Sequence, residues 1–95
     1  MVSVDFRFVK NVSTSLEYTL VTELYDEENY NYMYMVMNTI DPNEGGTQTV
    51  TVTFDGTFDN VYVYDQTGAR TSVTLTGNQY QVTLTAGQAV YLLPY

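Results

Sequence analysis

The sequence predicts an all-β, two-layer sandwich of about eight mostly antiparallel strands, on three observations. Thr, Val and Tyr dominate the chain, all good strand formers, and convincing helical periodicity is absent. Apolar and polar residues alternate with period two in segment after segment. Short turn signals separate the segments, and no linker, repeat or low-complexity tract interrupts them.

Taken in order, "SVDFRFV" sets Val4, Phe6 and Phe8 against Asp5 and Arg7. "LEYTLVTELYD" sets Leu16, Tyr18, Leu20 and Leu24 against Glu17, Thr19 and Glu23. Its Glu and Leu are also good helix formers, but period two fits better. The acidic turn "DEEN" leads into "NYNYMYMVMN", and "TIDPNEGGT" follows as a loop marked by Pro42, Gly45 and Gly46. "QTVTVTF" is the clearest strand, with Val50, Val52 and Phe54 inward and Thr49, Thr51 and Thr53 outward. "VYVYD" turns through "QTGA" into "TSVTLT". Gly77-Asn78 is a two-residue hairpin signal into "QYQVTLT", and "AGQ" leads to "AVYLLPY". The expected core is Val50, Val52, Phe54, Val61, Val63, Val73, Leu75, Val82, Leu84, Val90 and Leu92.

Ninety-five residues suit one domain with one core, since domains commonly run to about 100–150 residues. Met1 is expected to open a fragment of a longer protein, with any export signal outside this chain. There is no cysteine, hence no disulfide framework and no thiolate metal site. Nor is there a histidine, which removes the usual general base near neutral pH and the commonest transition-metal ligand. Three basic residues against 11 acidic ones leave a net charge of −8. Such a surface repels phosphate backbones and anionic lipid, so neither nucleic acid nor membrane is an expected partner. No apolar run approaches the roughly 20 residues of a membrane-spanning helix.

The segment at 29–38 carries the sharpest functional question. Tyr30, Tyr32 and Tyr34 alternate there with Met33, Met35 and Met37, so one face of a strand bears tyrosines and the other methionines. A thioether loses little on burial, whereas a buried phenol needs a hydrogen-bond partner. The Thr/Val strand that follows turns its threonines outward, and a tyrosine ladder beside it would lie on the same side. The methionines are therefore expected inside and the tyrosines outside.

The order "ELYD…MYMVMN…VTVTF…VYVYDQTG…VTLTGNQYQVTLTAGQAVYLLP" resembles the small C-terminal β-sandwich that follows the catalytic barrel in many bacterial glycoside hydrolases. The resemblance spans roughly residues 16–95. Its hairpin falls on Val63, Tyr64, Asp65, Thr67 and Gly68. Its ending falls on Gly77, Tyr80, Val82, Leu84, Gly87, Ala89, Val90 and Leu92. The methionine-rich third strand departs from the more usual Val/Leu. The resemblance implies a non-catalytic accessory domain, extracellular or at the cell surface, whose partner is the catalytic domain of its parent protein. It transfers no catalytic residue, because the family's catalytic carboxylates belong to the barrel.

Other sites compete with that reading. An exposed ladder of Tyr30, Tyr32 and Tyr34 could stack the apolar face of sugar rings, making the chain an independent polysaccharide-binding module. The same ladder could instead serve cross-strand pairing or face another domain. Asp26, Glu27, Glu28 and Asn29, and Asp41, Asn43 and Glu44, offer oxygen ligands of the kind calcium takes. Their spacing is not that of an EF-hand, and solvated turns have the same composition, so no metal and no cofactor is expected. A carboxylate pair about 5–9 Å apart could hydrolyse glycosides, but a sandwich this small offers only a shallow groove. An adhesin-like surface domain is a third reading, built from the same strand chemistry. "AGQAVYLLPY" could equally dock on a catalytic domain or form a last core strand.

Overall fold

The computed structural model describes residues 6–15, 18–29 and 31–95. Eight strands run in chain order: β1 Val9–Thr14, β2 Thr19–Asp26, β3 Asn31–Asn38, β4 Thr47–Phe54, β5 Asn60–Tyr64, β6 Arg70–Thr74, β7 Gln79–Thr85 and β8 Ala89–Pro94. They form a three-stranded sheet, β1-β4-β7, and a five-stranded sheet, β2-β3-β8-β5-β6. Every pairing is antiparallel, and the sheets enclose one core as a two-layer sandwich. No helix among the described residues is long and apolar enough to cross a membrane.

β4 shows why the alternation works. Val50, Val52 and Phe54 are buried, while Thr49, Thr51 and Thr53 face outward beside Thr83, Gln81 and Gln79 of β7. Val61, Leu84, Val90 and Leu92 are buried as expected, with Val63, Val73, Leu75 and Val82 half-buried against them. Each such side chain, fully buried, stabilises the fold by about 1.5–3 kcal/mol.

The first strand lies later than the sequence suggests. Phe6 and Phe8 do pack on the core, but from an irregular stretch, and Val4 and Asp5 lie outside the described residues. β1 proper buries Val9 and Val12, three apart, a spacing that period two forbids. A bulge supplies the difference: Val9 pairs with Phe54 and Asn11 with Thr53, so Lys10 is the extra residue. That insertion reverses parity and brings both valines to one face.

The orientation of β3 is the reverse of expectation. Tyr34 is 0% exposed, with Val36 and Asn38 buried beside it, and Met33, Met35 and Met37 are half-buried on the opposite face. Two causes act together. The Tyr34 hydroxyl is fully partnered: it donates to Glu23 Oε2 at 2.7 Å and accepts the Phe8 N–H at 3.0 Å. Furthermore, β3 and β4 lie in different sheets, so the outward threonines of β4 say nothing about which face of β3 is solvated.

Two buried amides tie the sheets where the chain crosses from β3 to β4. Asn38 donates from Nδ2 to the Leu84 carbonyl at 2.9 Å and accepts the Ile40 N–H at 3.0 Å. Gln48 accepts the Thr19 hydroxyl at 2.8 Å and donates to the Tyr18 carbonyl. Each joins a strand of one sheet to the other, so the crossover is held by polar groups that have no unpaired alternative in the core.

Candidate functional site

The tyrosine ladder does not form. Tyr30 lies outside the described residues. Tyr32 is half-buried, and Tyr34 is a core residue. Both belong to an aromatic cluster that closes one end of the sandwich: Tyr34 lies 5.8 Å from Phe6 and 6.2 Å from Phe54, and Tyr32 lies 5.3 Å from Phe8 (ring centroids). Burial first, and then the hydrogen bond to Glu23, push the Tyr34 phenol well above its ordinary pKa. Tyr34 offers no face to a sugar, and the half-buried Tyr32 ring is already packed against Phe8 and, at 4.6 Å, Tyr25.

The acidic turns are occupied locally. Asp26 accepts the Asn29 side-chain amide first of all, and then the N–H groups of Glu28 and Asn29, which holds its carboxyl below the usual range. Asp41 accepts the Asn43 N–H at 2.9 Å. These are turn-capping bonds. Among the described residues no three carboxylates converge on one point.

What the fold exposes instead is the outer face of the five-stranded sheet. Cross-strand register assembles it from side chains far apart in sequence. Leu20 stands opposite Met37, and Leu24 opposite Met33. Met35 stands opposite Tyr91, Tyr91 opposite Tyr64, and Tyr62 opposite Leu93. Leu20 and Leu24 are 46% and 41% exposed. The middle of this face carries no charge; the flanking charges are Asp26 at the β2 end and Arg70 on β6. Arg70 is already engaged, its guanidinium 4.5 Å from the Tyr62 ring, which in turn stacks on Tyr95 at 4.2 Å.

The signal for this face was present in the sequence. "NYMYMVM", "VYVY" and "AVYLLP" are apolar on both sides, the pattern of strands covered on both faces, whereas "TVTVTF" alternates as a half-solvated strand does.

At the Asp26 end the face folds into an open cleft of about 390 Å³. Leu24, Met33 and Leu93 line it with apolar surface, Tyr64 and Tyr25 add rings, and Asp26, Asn29 and Asn31 supply polar groups at the β2–β3 turn. No protein-family model matches the chain, and comparison with curated proteins and with solved structures finds no match.

Proposed function

We propose that this chain is a non-catalytic accessory β-sandwich of a larger, exported, carbohydrate-active protein. In this reading it docks on the catalytic domain through the outer face of its five-stranded sheet. The observation that carries the proposal is the run Leu20, Met35, Met37 and Tyr91, a contiguous apolar surface without a central charge. Exposed patches of this kind mark interaction sites, and methionine suits an interface because its flexible thioether fills irregular gaps. The turn and core positions of the Val63–Gly68 hairpin and the Gly77–Leu92 ending lend the carbohydrate-active parent its support.

The test is made in the full parent protein. Docking should shift the Met37 methyl NMR signal relative to the isolated chain and give one shared unfolding transition. Leu20→Lys with Met35→Lys should separate the transitions. Unchanged Met37 signals, or a parent without an adjoining catalytic domain, would remove the reading.

A second reading, sugar binding, is favoured by one specific observation, the cleft beside Tyr64.

A further inference from the structure

We infer that the cleft bounded by Leu24, Met33, Leu93, Tyr64, Asp26 and Asn31 is a binding site for one neutral sugar ring. The inference rests on the carbohydrate-active reading for its ligand class but not on docking: the docking surface is centred on Leu20, Met37 and Tyr91, whereas the cleft lies toward the Asp26–Asn31 end of the same face and adjoins that surface only where Tyr64 stands opposite Tyr91.

The chemistry follows from what lines the cleft. Its volume of about 390 Å³ lies at the low end of the roughly 300–1,000 Å³ usual for small-molecule sites, enough for a single ring and part of a second. Leu24 and Met33 are cross-strand partners, so they present one continuous apolar surface rather than two separate contacts. The cleft's carboxylate and amide groups, Asp26, Asn29 and Asn31, all come from the β2–β3 turn, where Asp26 and Asn31 are themselves paired across the hairpin. A ligand must therefore have an apolar face and hydroxyls around its edge. A pyranose has both: its C–H face suits the Leu/Met/Tyr surface, and its hydroxyls can donate to a carboxylate and exchange hydrogen bonds with an amide. A plain aromatic ring would cover Asp26 and Asn31 without replacing their water, an unfavourable exchange.

Charge sets the second limit. Asp26 is the one charged side chain in the lining, and Glu27 and Glu28 follow it in the turn. Uronic acids and sugar phosphates would meet repulsion there. The three hydrogen bonds that Asp26 accepts from its own turn keep the carboxylate ionised and aimed, leaving about one lone pair, on Oδ2, for a ligand. The site is shallow and open, so affinity belongs in the millimolar range.

Methionine methyl NMR gives a direct test, since Met33 lines the cleft and Met37 does not. The methyl glycosides of glucose, galactose, mannose, xylose and arabinose are titrated into the isolated chain, alongside glucuronate and arginine methyl ester. At least one neutral glycoside should shift Met33 saturably and leave Met37 unmoved, with glucuronate silent. Tyr64→Ala and, separately, Asn31→Ala should each weaken that binding about tenfold while the Met37 signal reports an intact fold. No saturable shift by any glycoside up to about 50 mM would overturn the site, as would equal shifts of Met33, Met35 and Met37. Tighter binding of arginine methyl ester than of every glycoside would also overturn it, and would make the cleft an anchor for a basic side chain. None of these outcomes touches the Met37-based test of docking.

Discussion

Tyr34 shows how one hydroxyl can decide the face of a strand. Its phenol links three segments, because Glu23 Oε2 accepts both the Tyr34 hydroxyl and the Arg7 N–H at 2.8 Å, and Phe8 donates back to the phenol. Tyr34→Phe should therefore cost about 1–3 kcal/mol in urea unfolding, since it strands the Phe8 N–H and weakens the hold on Glu23. Met35→Leu, on the outer face, should cost less than about 1.5 kcal/mol. The same tyrosine sets an alkaline limit. Its folded-state pKa lies above the ordinary value of 10.0, so the native protein holds this proton more tightly than the unfolded chain does. The sign is fixed by that inequality: the contribution is complete below the unfolded value and falls as pH rises above it, because only the unfolded state ionises at first. Tyr80, raised by burial, acts in the same direction. Stability should be flat from about pH 7 to 9 and decline above about pH 10, more shallowly in Tyr34→Phe.

At the scale of elements, turns carried their own instructions and pairings did not. Gly77 and Asn78 have φ of 60° and 63°, the doubly positive geometry of a tight two-residue turn, as the Gly-Asn pair implies. Yet the flanking strands share only the Thr76–Gln79 bridge before they diverge, β6 into the five-stranded sheet and β7 into the other. The β7–β8 turn depends on Gly87 for two reasons. Its φ is +78°, and a Cβ there would stand 2.9 Å from Pro42 Cγ in the β3–β4 loop. Gly87→Ala should lower stability by about 1–2 kcal/mol from the backbone conformation alone, with the contact adding to that. A thermal melt of the variant measures it, and an unchanged midpoint would mean that the turn adopts another geometry.

For the molecule as a whole, two opposite surfaces coexist. The three-stranded sheet shows solvent a hydroxyl and amide face, with Thr49 bonded to Thr83 and Gln79 to Thr53. The five-stranded sheet shows an apolar one. A net charge of −8 opposes association of such faces in solution. Salt removes that opposition, since the screening length falls from about 10 Å at 0.1 M to about 3 Å at 1 M. Sedimentation velocity should therefore show the chain associating as salt is raised, and Met35→Lys should suppress the effect. Association that is strongest at low salt would point to charge pairing instead of the apolar face.

Strand identity, the Thr/Val register of β4 and most of the core were legible in the sequence, because period-two alternation and turn residues act over a few neighbours. Absence of histidine and cysteine, and the acidic balance, narrowed the chemistry in the same local way. The orientation of β3, the bulged start of β1, and the Met/Leu/Tyr face were decided by tertiary structure. Each depends on which strands become neighbours: β3 beside β8 rather than β4, Lys10 looping out against β4, and Leu20 meeting Met37 across a hairpin. A buried phenol becomes favourable only once a distant carboxylate and backbone amide reach it, and those partners are supplied by the fold.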